Sequence, residues 1–376
     1  MNGVSATRFV AAHATADSWA AAAASCADQL SSLPEGANLG FLYASDRLAG
    51  DVPDILAFLR QRTRIADWVG SVGMGVCASG QEYFGAPALA VLIAALPPGG
   101  YEVFGPQSAG ATGPTVLQSE WLRRMRPMVG IVHGDPRDAA SAATIATLAR
   151  EASLFLVGGI AAAGGTPVQI AGRVVEGGLS GVLLSPDIPV ITGLTQGCSP
   201  IGPARRITAT RDNIIMAIED RPALEVFKED IGELLSRDLK RVAGLVFAAF
   251  PVAGTDTGDY IVRNLVAIDV QRQWLAVAHK VSSGDPVLFC RRDPASATTD
   301  LQRMLADLKR RAGRTPRAGL YFSCVARGPN LFGESSQELR MIRDALGAFP
   351  LAGFFGNGEI AHDRLYGYTG VLALFL

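Results

Sequence analysis

One pattern, used three times, constrains this chain more than any other feature. Short apolar runs begin at Gly40-Phe41-Leu42-Tyr43, Gly130-Ile131-Val132-His133 and Gly319-Leu320-Tyr321-Phe322. Each is bounded by glycine or polar residues and reads as a buried strand. A helical periodicity follows each run: Ile55/Leu56/Phe58/Leu59, then Ala143/Ile145/Leu148, then Leu339/Ile342/Leu346. Glycine-rich second strands come next, at Val69–Gly73, Val157–Ile160 and Ala352–Gly356. A last apolar strand closes each repeat, at Leu89–Ala95, Leu179–Leu184 and Thr369–Phe375. Repeated strand–helix–strand–strand units predict a mixed α/β, α+β chain of layered sheets covered by helices. The parallel pair of each unit is expected to be joined by a right-handed crossover. Independent units of this type also echo one another by chance, so duplication and coincidence stay equally open.

Two inserts interrupt the pattern. Residues 203–240 read as a hairpin, Ile207–Ala209 and Ile214–Met216 around Arg211-Asp212-Asn213, followed by a helix entered at Pro222. Residues 244–292 read as four strands, and a helix bearing Leu301, Met304, Leu305 and Leu308 ends at Gly313. Ser335 and Glu338 have capping-box spacing ahead of the next helix. The expected organisation is an N-terminal helix or extension over 1–35, a domain over 36–203 and a domain over 204–376, the last two being pseudo-related halves.

Composition excludes several function classes. Of 376 residues 18% are charged and 49% hydrophobic, and 34 Lys+Arg against 35 Asp+Glu leave a net charge of −1. Such a balance gives no general attraction for nucleic acid or an anionic membrane, and neither is expected as a partner. The most apolar runs, Ala88–Leu96 and Leu154–Gly165, fall short of the roughly 18–20 residues of a spanning helix. His13, Asp17 and Ser18 interrupt any signal-peptide core. Five cysteines (26, 77, 198, 290 and 324) are scattered without a CxxC, which suits reduced cytoplasmic thiols better than disulfides or zinc.

Four stretches place polar groups beside glycines or inside apolar strands. The first runs from Cys324 through Arg327 and Gly328 to Gly333, a strand opening into an irregular loop with a thiol and a guanidinium. In the second, Gly356-Asn357-Gly358-Glu359, the glycines permit close approach, although Asn-Gly is also the commonest hairpin turn. The third is Gln196-Gly197-Cys198-Ser199-Pro200-Ile201-Gly202-Pro203, and the fourth is Arg263-Asn264 within an apolar strand. Cys26, Cys77, Cys198 and Cys290 read as small buried hydrophobes. For Cys324 the spacing leaves burial and reactivity open, since Arg327 could lower its pKa and the loop reads as open. Arg263 could equally pair with Asp269 or Glu359. No histidine pair has metal-ligand spacing, and neither a Walker A nor a dinucleotide fingerprint is present, so no cofactor is expected.

Taken together these motifs identify a family. The sequence resembles the FIST family over residues 36–376, through Gly70–Gly73, Val157–Gly159, Gly178–Val182, Gln196–Pro203, Ile261–Leu265 with Asp269, Cys324–Gly328, Gly353–Ile360 and Tyr368-Thr369. The resemblance implies a FIST N domain followed by a FIST C domain, and a sensory module for a small metabolite, possibly an amino acid, in intracellular signal transduction. No kinase, cyclase or F-box is read in the sequence, so a stand-alone member with a separate signalling partner is expected. The ligand residues it points to are Gln196, Arg263, Asn264, Cys324, Arg327, Gly328, Gly356, Asn357, Gly358 and Glu359. An arginine fork for a carboxylate, with Glu359 and Asn357 for an ammonium group, would make an amino-acid clamp. A protein-interaction scaffold and a cysteine-dependent enzyme using Cys324 are the competing readings; catalysis is not expected.

Overall fold

The computed structural model describes residues 7–109, 115–236, 239–242, 244–252 and 258–376, so the first six residues of the expected extension lie outside it. The class is mixed α+β with several mixed sheets, as expected. The chain divides into two compact bodies, 1–195 with 300–376, and 196–299.

The first body contains three six-stranded sheets. Each is built around one of the sequence repeats. Leu39–Ser45 runs parallel to Asp67–Gly73, Val129–Gly134 to Phe155–Ile160, and Ala318–Cys324 to Leu351–Gly356. In each repeat the closing strand, Ala88–Ala95, Leu179–Leu184 or Thr369–Phe375, lies antiparallel on the far side of the opening strand. The helices Val52–Thr63, Ser141–Glu151 and Gln337–Leu346 join the parallel strands.

The remaining strands are exchanged in a cycle. After its second strand each repeat sends a hairpin to another repeat's sheet. Gly75–Ala78 and Gln81–Phe84 extend the third sheet, Gln169–Ala171 and Arg173–Val175 the first, and Glu359–His362 and Arg364–Tyr366 the second. Tyr101–Gln107, which follows the first repeat, pairs beside the second repeat's closing strand, and Val190–Gln196 beside the third's. The N-terminal strand Arg8–Thr15, which the sequence reading did not anticipate, fills the same role in the first sheet. One rule therefore describes all three sheets, and it favours duplication over coincidence.

Register makes the correspondence residue by residue. Leu42 faces Gly70, Val132 faces Gly158 and Tyr321 faces Gly353 across the three parallel pairs. A methyl group on any of these glycines would land on the facing carbonyl oxygen, so the second strand needs glycine wherever it passes this close. The next residues along the opening strands, Tyr43, His133 and Phe322, converge from the three repeats. Their ring centroids lie 5.5 Å apart for Tyr43–His133 and 6.1 Å for each pair with Phe322. Phe354 stacks on Tyr43 at 5.4 Å, and all four are buried. Equivalent residues meeting at one point mark a pseudo-threefold axis through the aromatic core.

The second body is an antiparallel barrel. Arg205–Arg211, Ile214–Ile218, Trp274–Val277, Tyr260–Asp269, Val246–Pro251 and Pro286–Arg292 pair in that order, and the last pairs back with the first. Closure removes free edges from the ring. The hairpin around Asp212-Asn213 forms as expected. Leu224, Phe227 and Ile231 of the helix Ala223–Ser236 enter the barrel core, with Phe227 edge-on to Phe289 at 4.7 Å.

Among the described residues no helix is long and apolar enough to cross a membrane.

Candidate functional site

The third repeat ends its opening strand at Cys324, where the carboxyl ends of the parallel strands face a connecting loop. Open α/β sheets place ligands in such positions. The loop turns back on itself: Arg327 N–H donates to the Cys324 carbonyl at 2.8 Å, and Phe332 N–H to that of Gly328 at 2.8 Å. Gly328, with φ +53°, starts the short helix Pro329–Phe332 and swings the Arg327 side chain inward. Arg327 is wholly buried, its guanidinium 5.0 Å from the centre of the Phe332 ring.

Glu338 meets it there. The Glu338 carboxylate lies 2.7 Å from Arg327 Nη2 and accepts hydrogen bonds from Arg327 Nε (2.8 Å), Tyr321 Oη (2.6 Å), Ser323 Oγ (3.2 Å) and Gly328 N–H (3.0 Å). Burial alone would favour losing the arginine proton, but the charge of Glu338 outweighs it and raises the Arg327 pKa. The capping box expected from Ser335 and Glu338 does not form. Ser336 is the N-cap, in left-handed backbone, and Glu338 turns into the core because its charge has a buried partner.

Glu82, from the hairpin supplied by the first repeat, closes the other flank. Its carboxylate accepts the Leu339 N–H at 3.1 Å, and its own N–H donates to Ser336 Oγ at 2.8 Å. Burial and the charge of Glu338 push its pKa up to about 7, against the hydrogen bonds from the helix start and the charge of Arg327. Glu359 is fully buried and accepts Thr369 Oγ1 at 2.7 Å and Thr369 N–H at 3.2 Å. Burial pushes it up to about 8, with the Thr369 hydrogen bonds and Arg327 working the other way.

Arg327 Nη1, Glu82 Oε2 and Glu359 Oε1 are buried here without a hydrogen bond to the protein, and Arg327 Nη2 meets Glu338 only as an ion pair. Leaving such an atom unpaired costs about 1–3 kcal/mol. Three beside one ion pair are hard to explain as packing alone.

The structure thus gathers Cys324, Arg327, Gly328, Gly356, Gly358 and Glu359 in the third repeat. Asn357 lies at its surface, in a turn whose N–H bonds the Ile160 carbonyl at 2.9 Å. That turn is not a hairpin: the strand after Gly358 crosses to the second sheet instead of pairing with Leu351–Gly356. Arg263 and Asn264 sit on a barrel strand of the second body, opposite Ala248 and Phe247, and Gln196 is buried where that body begins. The expectation of an open loop around Cys324 is corrected. Cys324 is buried, and burial together with the charge of Glu359 pushes its thiol well above the usual range, the opposite of what a nucleophile needs. Glu82, Glu338, Tyr321, Ser323 and Thr369 were not among the expected ligand residues, although Thr369 belongs to the motifs that carry the resemblance and Glu338 to the expected capping box.

A FIST N domain model matches residues 38–221 and a FIST C domain model residues 223–362. The chain belongs to the FIST family. FIST domains are associated with sensing in signal transduction. An uncharacterized protein of Mycobacterium tuberculosis, Rv0628c, is 30% identical over 354 residues, covering 90% of this FIST chain and 91% of that protein. Mb0898c, an uncharacterized protein of Mycobacterium bovis, is 32% identical over 216 residues, 54% of each chain. The buried ion pair Arg327–Glu338 and Glu359 fall in the FIST C region, and Glu82 beside them falls in the FIST N region.

Proposed function

We propose that this FIST protein is a cytoplasmic sensory module that binds a small metabolite, an amino acid or a close relative, and passes the signal to a separate protein. The observation that carries the reading is the pair of buried, opposite groups with unused capacity, Arg327 Nη1 as donor and Glu359 Oε1 as acceptor. A ligand carboxylate would take the arginine N–H, and a ligand ammonium the glutamate oxygen. Binding an ammonium group would ionise Glu359, so uptake would release a proton. The ligand would enter past the loop 325–336, where Gly328, Gly333, Ser335 and Ser336 all have positive φ. Five free buried thiols fit a reducing compartment. Arg263, Asn264 and Gln196 enter this reading as residues to be tested by alanine substitution.

The test is a thermal-shift screen against amino acids, polyamines and central metabolites. A ligand at a hundred times its Kd should add about 2.7 kcal/mol to the native state. Glu359→Gln, close in shape to the native side chain, should abolish that shift. An unchanged shift in Glu359→Gln would remove Glu359 from the site. No shift across the panel would turn the search towards a protein partner.

A further inference from the structure

Two helices of the first body leave a groove between them. From Asp300 the helix Pro294–Ala312 belongs to that body, and its Leu301, Met304 and Leu308 share one core with Leu339, Ile342 and Leu346 of the helix Gln337–Leu346. A depression of about 390 Å³ between the helices is lined by Leu305, Ala306, Met341 and Ala345. A second, of about 610 Å³, lies where both helices end and is lined by Lys309, Arg310 and Arg314. Lys309, Asp344 and Ala345 border both, so the two form one groove with an apolar half and a basic half. The basic half departs from the neutral balance of the chain. Residues 302–317 hold six arginines and lysines against one acid, Asp307. Asp307 is paired with Arg310 and Arg311, and Asp344 with Arg343. Among the described residues, no carboxylate pairs with the side chain of Lys309 or Arg314. Cations in a last helical turn offset the helix dipole, which gives Lys309 a structural role. Arg314 stands beyond the helix end and has no such role.

We propose that this groove docks an acidic, amphipathic helix of the separate signalling protein, with its apolar side chains on Leu305, Ala306, Met341 and Ala345 and its carboxylates at Lys309 and Arg314. An amphipathic helix laid by its apolar face into a groove is a recurring mode of recognition. Nucleic acid would use the cations through its phosphates and leave the apolar half empty, so the two halves together favour a protein segment. Placement favours the signalling partner. Glu338, which holds Arg327, lies in the first turn of the helix whose last turn carries Asp344 and Ala345. One rigid element therefore spans the distance of about 10 Å from the buried ion pair to the groove. The partner's role in signalling rests on the sensory reading above, whereas docking itself does not.

The experiment titrates the full-length protein into a fluorescein-labelled model peptide and reads fluorescence anisotropy. In the peptide, leucines recur at helical spacing and glutamates fill the opposite face. Controls are a scrambled peptide of the same composition and a peptide with lysine for every glutamate. The acidic amphipathic peptide should bind about tenfold or more tightly than either control, and added salt should weaken it. Lys309→Glu/Arg314→Glu and, separately, Ala306→Glu should each weaken it about tenfold. All three positions are exposed, so thermal melts of the variants should match wild type. No binding, equal binding of the scrambled peptide, or binding that survives both variants overturns the proposal. Tighter binding of a DNA duplex or of phosphatidylserine vesicles through Lys309 and Arg314 overturns it as well, and would make the partner a nucleic acid or a membrane. The titration contains no metabolite, so its failure leaves the ligand reading standing, and a failed ligand screen leaves this result standing.

Discussion

Arg327 and Glu338, neither with any exposed surface, meet at 2.7 Å beneath the loop that closes the third repeat. Breaking a buried pair strands its partner, at a cost of about 3–5 kcal/mol. Glu338→Gln is expected to lose stability of that order in urea denaturation. The double variant Arg327→Met/Glu338→Leu should lose far less than the two single changes added together. A simple sum would mean that the two charges do not depend on each other.

Stability should fall as pH rises through neutrality. Burial holds Glu359 at about 8 and Glu82 at about 7, so the folded state keeps protons that the unfolded chain has already released. Their contribution is complete below the ordinary glutamate range and is lost as pH climbs to 8. His133 has the opposite sign. Burial lowers it to about 3, and its contribution is lost as pH falls through the unfolded value of about 6.5. The net decline should be steepest between about pH 6.5 and 7, where His133 no longer offsets it, and should end near 8. Denaturation midpoints across that range test this, and Glu359→Gln should flatten the upper part. A flat wild-type curve would mean that Glu359 is ionised in the folded protein.

Glycine positions should divide sharply. Gly158→Ala would drive a methyl group onto the Val132 carbonyl oxygen and is expected to prevent soluble expression. Gly105→Ala, in a strand with nothing near its α-carbon, should stay within about 0.5 kcal/mol of wild type. Soluble yield of the two variants, with a thermal melt of Gly105→Ala, checks the contrast, and similar yields would contradict the strand spacing.

The pseudo-threefold axis carries its own test. Tyr43 Oη lies 3.2 Å from His133 Nε2, and His133 Nδ1 has no hydrogen-bond partner. Tyr43→Phe keeps the stacking on Phe354 and should cost about 1–3 kcal/mol by leaving the imidazole unpaired on both sides. Denaturant titration measures the loss. A neutral result would mean that the hydroxyl adds nothing to the axis.

Much of the fold was legible because it is local. The strands and helices of all three repeats, the barrel hairpin at Asp212-Asn213 and the helix ending before Gly313 follow from periodicity and turn residues. Strand exchange was not legible. Whether Glu359–His362 pairs with Arg364–Tyr366 alone or also with Phe155–Ile160 is a long-range choice that no local pattern encodes. The site divides in the same way. Arg327 and Glu359 stood out as polar residues at strand ends, but Glu82 reaches Leu339 across 257 positions of sequence. Glu338 was hidden by its capping-box spacing, a local role that a buried arginine overrides.

The exchanged hairpins also set a schedule for synthesis. The first sheet waits for Gln169–Val175, the second for Glu359–Tyr366, and the third for its closing strand Thr369–Phe375. Two of the three sheets therefore stay unfinished until Glu359–Phe375 has been made, and their unpaired edges are open to stray partners in the interval. A FIST chain of this design should mature slowly, and its yield should depend on chaperones more than its final stability suggests.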